Sequence, residues 1–126
     1  NLDVTVAQIE SLRSDIFVPL HGGGRIICYR EVLEGTADVV LQSEAGEPVA
    51  MRQGNQTYLG GWLDDATLDQ LILKICAAAQ IETLVMPEGV RIRTTGTERF
   101  WFNYTDQRVA CHGIELDPAG VLRVTM

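Results

Sequence analysis

The first segment whose residue types could take part in catalysis is a glycine-rich loop, His21-Gly22-Gly23-Gly24. Such a loop can supply the backbone N–H that stabilises an oxyanion in acyl transfer, but that chemistry also needs a serine on a Gly-x-Ser-x-Gly turn. None of the serines, Ser11, Ser14 and Ser43, has that setting. No Gly-Lys-Ser/Thr or Gly-x-Gly-x-x-Gly pattern follows that would form a phosphate cradle. We therefore interpret this segment as a flexible loop.

Cys111 and His112 are adjacent and could begin a metal site. A zinc site needs about four ligands brought close together. The other available thiols and imidazole, Cys28, Cys76 and His21, are all distant in sequence. We predict no metal here and interpret the pair as part of a half-buried strand. An odd, sparse set of cysteines also indicates free thiols in a reducing compartment, so we expect a cytoplasmic protein.

Two pairs of carboxylates could act as acid and base. Glu31 and Glu34 are three residues apart and would share one face if the segment were helical. Glycosidases use two carboxylates, but on opposite sides of the scissile bond. We interpret this pair as surface glutamates, and Asp64-Asp65 as the cap of a helix. The sequence thus predicts no catalytic, cofactor-binding or metal-binding residues, and no cofactor.

The one aromatic cluster is Phe100-Trp101-Phe102 with Tyr104, while Trp62 stands apart. On a strand, Phe100, Phe102 and Tyr104 share a face, and Trp101 takes the other. We expect the three-residue face to be core. Trp101 then either packs on a neighbouring domain or is exposed. Because aromatic rings stack on sugars, a carbohydrate-binding surface is the functional alternative.

The overall composition limits the class of partner. The chain has 126 residues, 46% of them hydrophobic, and a net charge of −7. A nucleic-acid partner is disfavoured because the lysines and arginines are few and scattered, and an anionic membrane surface is disfavoured by the same sign of charge. The sequence starts at Asn1 without Met or a signal segment, which we interpret as a cut in a longer chain.

The elements that would position these groups are mostly strands. Residues 1–20 predict one or two strands ending at Pro19, and 25–33 predicts a strand whose Glu-containing end could be helical. A short apolar strand covers 37–42. A hairpin joins 49–52 to 56–59 through Gly54-Asn55, and Gly60-Gly61 ends it.

A single amphipathic helix is predicted over about residues 65–80. Its apolar residues recur at helical spacing, so they form one face: Leu68, Leu71, Ile72, Ile75, Cys76 and Ala79. We expect that face to pack on a sheet. After the breaker Pro87-Glu88-Gly89, four strands are predicted at 90–94, 99–104, 109–114 and 121–125. The fold class is therefore α+β, with mostly antiparallel strands, one main helix and a small antiparallel sheet at the end.

The order of these pieces resembles the C-terminal region of glycoside hydrolase family 42 β-galactosidases. The residues that carry the resemblance are Glu47-Pro48-Val49-Ala50, Gly54 with Tyr58-Leu59-Gly60, the helix, Pro87-Glu88-Gly89-Val90 and Phe100–Asn103. The resemblance implies that residues 1–85 are the C-terminal part of a flavodoxin- or amidotransferase-like α/β oligomerisation domain. It implies that residues 86–126 are a small C-terminal antiparallel β domain.

The same resemblance implies a parent enzyme that hydrolyses terminal non-reducing β-D-galactose residues with retention, using two glutamates on a barrel that is absent from this sequence. This chain would then serve in assembly and support, with the barrel domain and sister subunits as partners in a homo-oligomer. The alternative is a free-standing carbohydrate-binding or oligomerisation module without an enzymatic parent.

Overall fold

The computed structural model describes residues 2–126. Asn1, where the sequence analysis places a cut, lies outside the described residues. The chain divides into two compact units, with the boundary between Thr83 and Leu84. We call them unit 1 and unit 2 and describe each by itself.

Unit 1 contains seven strands followed by one helix. The strands are β1 (Val4–Ser11), β2 (Val18–Pro19), β3 (Arg25–Gly35), β4 (Asp38–Gln42), β5 (Pro48–Gln53), β6 (Gln56–Leu59) and β7 (Gly61–Leu63), and the helix is α1 (Asp65–Ala78).

Strand β3 organises the first sheet of unit 1, since β1, β2 and β7 all pair with it antiparallel. The helical alternative for the end of this segment is wrong, because β3 continues as strand to Gly35. Its last residues pair with β1, from Glu31 opposite Ile9 to Gly35 opposite Val4. These ladder partners satisfy the backbone in the extended form, and helix propensity at the glutamates is overridden.

The second sheet has the order β4-β5-β6, also antiparallel. The predicted hairpin at Gly54-Asn55 is confirmed: Gln53 faces Gln56, and Gly54 has φ +61°. Positive φ is the conformation in which glycine carries no steric cost.

The hairpin strand β6 ends at Leu59, as Gly60-Gly61 predicts, and a strand that was not predicted, β7, begins at Gly61 and pairs with β3 in the other sheet. The two glycines allow a close crossing from one sheet to the other. A Cβ atom on Gly60 would lie 2.9 Å from the Leu33 side chain, and one on Gly61 would lie 3.1 Å from Ile26 Cγ2. Larger residues would separate the strands, so the two glycines mark both the end of β6 and the crossing to the other sheet.

Helix α1 matches the predicted span, but its buried face is narrower than expected. Leu71 is buried in the main core of unit 1, and Leu68 and Ile75 pack against that core. Ile72 is 48% exposed. Six residues form the buried centre of this core: Leu20, Ile26, Val49, Ala50, Leu63 and Leu71.

Unit 2 contains five strands, β8 (Val90–Thr95), β9 (Glu98–Asn103), β10 (Val109–Cys111), β11 (Ile114–Leu116) and β12 (Val121–Thr125). Three of them form an antiparallel sheet in the order β12-β9-β8, and β10 and β11 form a hairpin. The single strand predicted over 109–114 is wrong. His112 and Gly113 both have positive φ, 48° and 78°, and turn the chain so that Cys111 faces Ile114.

The buried face of β9 is the opposite of the predicted one. Trp101 is buried with Val90 and Leu116, whereas Tyr104 is exposed. Alternation along the strand was predicted correctly, but alternation does not say which side is covered. Trp101 lies opposite Ile92 and Leu122, and residues of the β10–β11 hairpin pack on the same cluster.

The predicted α+β class is confirmed, with mostly antiparallel strands, one main helix and a small antiparallel sheet after it. The assignment of residues 1–85 to an oligomerisation domain and of 86–126 to a C-terminal β domain stays a prediction. None of the helical structure described for residues 2–126 has the length and apolar character needed to cross a membrane.

Candidate functional site

The glycine loop connects β2 to β3 and is closed by two local hydrogen bonds, while His21 N donates to Gln42 O of β4. Leu20 N donates to Gly24 O at 3.1 Å, and Gly23 N donates to Leu20 O at the same distance. Ser43 lies beside Leu20, but it is buried and its Oγ accepts from Glu47 N at 3.1 Å. The Ser43 hydroxyl is therefore not accessible as a nucleophile beside the loop. We keep the interpretation of residues 21–24 as a connecting loop.

The two glutamates of β3 do not form an acid/base pair. Three residues apart on a strand, Glu31 and Glu34 lie on opposite faces. Glu31 Oε2 accepts a hydrogen bond from the Tyr58 hydroxyl at 2.7 Å. That hydrogen bond, with burial, raises the pKa of Tyr58, because the neutral phenol is the form that donates to a carboxylate. The contact joins β3 to β6 and is structural.

Arg30 joins three parts of unit 1, a role the sequence analysis missed. Its Nε donates to Glu10 Oε2 of β1 at 2.6 Å, and its Nη1 donates to Glu47 Oε2 in the turn before β5. The hydrogen bond to Glu10 and the attraction of both carboxylates raise the pKa of Arg30. The sequence predicts that Arg30 lies on a strand. Only the tertiary structure brings the carboxylates of Glu10 and Glu47 to its guanidinium group.

Asp64 caps α1, as one of the two predicted aspartates. Its side chain accepts from Thr67 N at 3.1 Å, from Thr67 Oγ1 at 2.8 Å and from Arg25 N at 2.8 Å. These donors stabilise the carboxylate, and the hydrogen bond from Thr67 contributes most to lowering the pKa of Asp64. Asp64 thus holds the start of the helix against the start of β3.

Cys111 is the last residue of β10, as part of the predicted strand, whereas His112 lies in the turn of the β10–β11 hairpin. The Nε2 atom of His112 lies 2.9 Å from Val85 O, and its ring is 5.8 Å from that of Trp101. Within residues 2–126, no three His, Cys, Asp or Glu side chains are grouped so that they could hold a metal ion.

An aromatic stripe lies on the face of the unit 2 sheet that points away from Trp101. We use this name for Phe100, Phe102 and Tyr104, whose ring centroids are 6.4 and 6.1 Å apart in sequence order. Tyr104 is 71% exposed. Arg91 lies opposite Phe102 and Arg93 opposite Phe100. Neither arginine forms an ion pair in the part of the chain that the structure describes.

A second surface, which we call the β4 groove, lies in unit 1 between strand β4 and helix α1. Three adjoining depressions form it, and all three are lined by Val40 and Lys74. Leu71 and Leu41 contribute apolar surface, and His21 and Arg52 line opposite parts of the groove. None of the lining residues is acidic, although the chain has 17 acidic residues and 10 basic ones.

Part of the sequence of known β-galactosidases is similar to this chain. No family model matches the sequence. A β-galactosidase of Thermus thermophilus is 31% identical over 111 residues, which is 86% of this chain and 17% of that protein. The crystal structure of a β-galactosidase from the psychrophilic Marinomonas ef1 has 26% identity and a TM-score of 0.87, covering 95% of this chain and 20% of that one.

The chain is similar to a section of β-galactosidases. The predicted resemblance to the C-terminal region of family 42 β-galactosidases is confirmed. A catalytic mutant of a GH42 β-galactosidase from G. stearothermophilus shares the fold, with a TM-score of 0.73 and 18% identity over 96% of this chain and 23% of that one. The chain therefore spans about a fifth of the length of its β-galactosidase relatives.

Proposed function

We propose that this chain is a non-catalytic C-terminal part of a β-galactosidase and serves in the assembly and support of that enzyme. The similarity to the Thermus thermophilus β-galactosidase, over 86% of this chain and 17% of that protein, carries the proposal. The parent enzyme would hydrolyse terminal non-reducing β-D-galactose residues with retention, through two glutamates on a barrel domain.

The geometry of the candidate groups supports a non-catalytic role. Glu31 is engaged by Tyr58, and Asp64 is engaged by Thr67 and Arg25. Glu31 and Glu34 lie on opposite faces of β3, so the two cannot flank one glycosidic bond. The partners in this proposal are the barrel domain and sister subunits of a homo-oligomer, with residues 1–85 as the end of the oligomerisation domain.

We place the parent enzyme in the bacterial cytoplasm. Cys28, Cys76 and Cys111 are free thiols, which suits a reducing compartment.

The test uses the purified chain and a chromogenic aryl β-galactoside. We expect no hydrolysis above the blank, while the product of the complete reading frame hydrolyses the same substrate. Turnover by the purified chain that disappears in Glu31→Gln or Glu34→Gln would contradict the proposal. So would a complete reading frame without a barrel domain.

A second candidate function is carbohydrate binding by the aromatic stripe. The observation that favours it is the exposure of Tyr104 beside Phe102, since aromatic faces can stack on the C–H faces of sugars. Titration with galacto-oligosaccharides, followed by NMR of the aromatic side chains, tests it. Shifts confined to the stripe, and lost in Phe102→Ala, would support binding there.

A further inference from the structure

Strand β4 has the residues of a covered strand, yet it lies at the edge of its sheet. Its apolar run Val39-Val40-Leu41 is typical of a strand buried on both faces. In the structure Val39 is 46% exposed and Val40 is 42% exposed. The pairing of β4 with β5 is irregular at Val40, and Val39, Val40 and Leu41 line one depression, so apolar surface is uncovered along this part of the strand.

The outer edge of β4 is open over most of its length. The strand pairs with β5 on one side, and no other described strand continues the sheet beyond it. The outer edge is engaged only at its end, where His21 N donates to Gln42 O at 3.0 Å and Leu20 faces Ser43. An unpaired edge presents backbone N–H and C=O groups that can pair with an added strand.

The charge of the β4 groove indicates what kind of segment fits there. The cations Lys74 and Arg52 line it together with His21, and no carboxylate does. Neither Lys74 nor Arg52 forms an ion pair within residues 2–126. In a chain with net charge −7, a surface of this sign is complementary to carboxylates on a partner.

We propose that the β4 groove binds an extended segment that carries apolar and acidic side chains on the same face, and that this segment pairs with the open edge of β4 between Asp38 and Leu41. The inference rests on the proposed function, because the rest of the parent enzyme would supply the segment. The backbone of β4 would bind the segment by strand addition. Val40 and the half-buried Ile75 would contact its apolar side chains, and Lys74 and Arg52 its carboxylates.

The test titrates the purified chain with a capped hexapeptide of sequence Glu-Glu-Val-Val-Glu-Glu, which places both Glu and Val on each face of a strand, followed by NMR of the backbone amides. We expect shifts at Asp38–Leu41 and slower hydrogen exchange there. The same hexapeptide with Lys in place of Glu should bind at least about fivefold more weakly, since each exposed ion pair contributes modestly. A Glu/Val peptide that is N-methylated on alternate residues, and so cannot donate along one edge, should lose the exchange protection.

Two matched variants separate the groove from the general charge of the protein. Lys74→Glu should weaken the Glu/Val peptide about fivefold or more. Arg13→Glu makes the same change in charge at a side chain that is 78% exposed and outside the groove, and should leave binding nearly unchanged. Circular dichroism of both variants confirms that they fold.

Several outcomes would overturn the assignment. They are shifts located elsewhere, equal binding of the Lys and Glu peptides, and equal weakening by both variants. Exchange protection of Asp38–Leu41 that grows with concentration of the chain alone would show that a second copy occupies the groove. The galactoside assay and the complete reading frame do not depend on this titration, so its failure would remove this surface and leave the non-catalytic role in place.

Discussion

Oδ1 of Asn103 accepts hydrogen bonds from both the backbone N–H and the hydroxyl of Thr105, at 3.0 and 2.8 Å. On the other side of the same amide, Nδ2 donates to Gln107 O at 2.7 Å and to Asp117 O at 2.9 Å. Asn103 is buried at the end of β9. One side chain thus holds the turn after β9 against the turn before β12.

Replacing Asn103 should therefore destabilise unit 2. Asn103→Ala removes the partner of part-buried backbone groups of Thr105, Gln107 and Asp117, and we expect a loss of about 1–3 kcal/mol for this kind of change. Denaturant unfolding followed by Trp101 fluorescence, in a Trp62→Phe background, measures it. The adjacent Tyr104→Ala, at an exposed position, is the control, and a comparable loss there would show that the amide network is unimportant.

The inverted faces of β9 give a second prediction. Trp101→Ala should cost about 3–5 kcal/mol because it leaves a cavity beside Val90 and Leu116. Tyr104→Ala should change stability by under about 0.5 kcal/mol. Thermal unfolding followed by far-ultraviolet circular dichroism compares them. A larger loss of stability in Tyr104→Ala than in Trp101→Ala would support the prediction from the sequence, in which the aromatic stripe is core.

Two neighbouring positions on α1 test how much of the helix face is core. Leu71→Ala should destabilise unit 1 by about 2–5 kcal/mol, because the side chain lies in the core with Ile26 and Leu63. Ile72→Ala should cost less than about 1 kcal/mol, because half of that side chain is exposed. Trp62 fluorescence during denaturation, in a Trp101→Phe background, reports on unit 1. Equal losses would mean that the whole predicted face is covered.

Asp64 gives the stability of unit 1 a dependence on pH. Its pKa is lowered in the folded state, chiefly by the hydrogen bond from Thr67, so unfolding takes up a proton. The stabilisation is fully present above the ordinary pKa of an aspartate, about 4, and is lost as the pH falls through the lower folded value.

The comparison is between the native chain and Asp64→Asn, which retains a capping oxygen but does not titrate. Denaturation at a series of pH values should show a decline of the native chain below about pH 4 that is smaller in Asp64→Asn. Parallel curves for the two proteins would show that Asp64 does not contribute this dependence.

The sequence alone determined the elements whose signals are local. The helix follows from apolar residues at helical spacing after a capping aspartate, and the structure places it at Asp65–Ala78 with Asp64 as the cap. The hairpin at Gly54-Asn55 follows from the turn residues that positive φ requires. The resemblance to family 42 β-galactosidases likewise depended on residue order, which the sequence carries directly.

Other features were decided only by the tertiary structure, because they depend on contacts between residues far apart in sequence. Alternation along β9 separates Trp101 from Phe102, but the hairpin β10–β11 decides which side is buried. The pairing of Gly61–Leu63 with β3, across more than thirty residues, forms β7 directly after the predicted end of β6. The β4 groove arises in the same way, since the lining residues His21, Val40 and Lys74 are brought together by the packing of separate elements. Periodicity is a property of one segment, whereas burial is a property of the segments that meet.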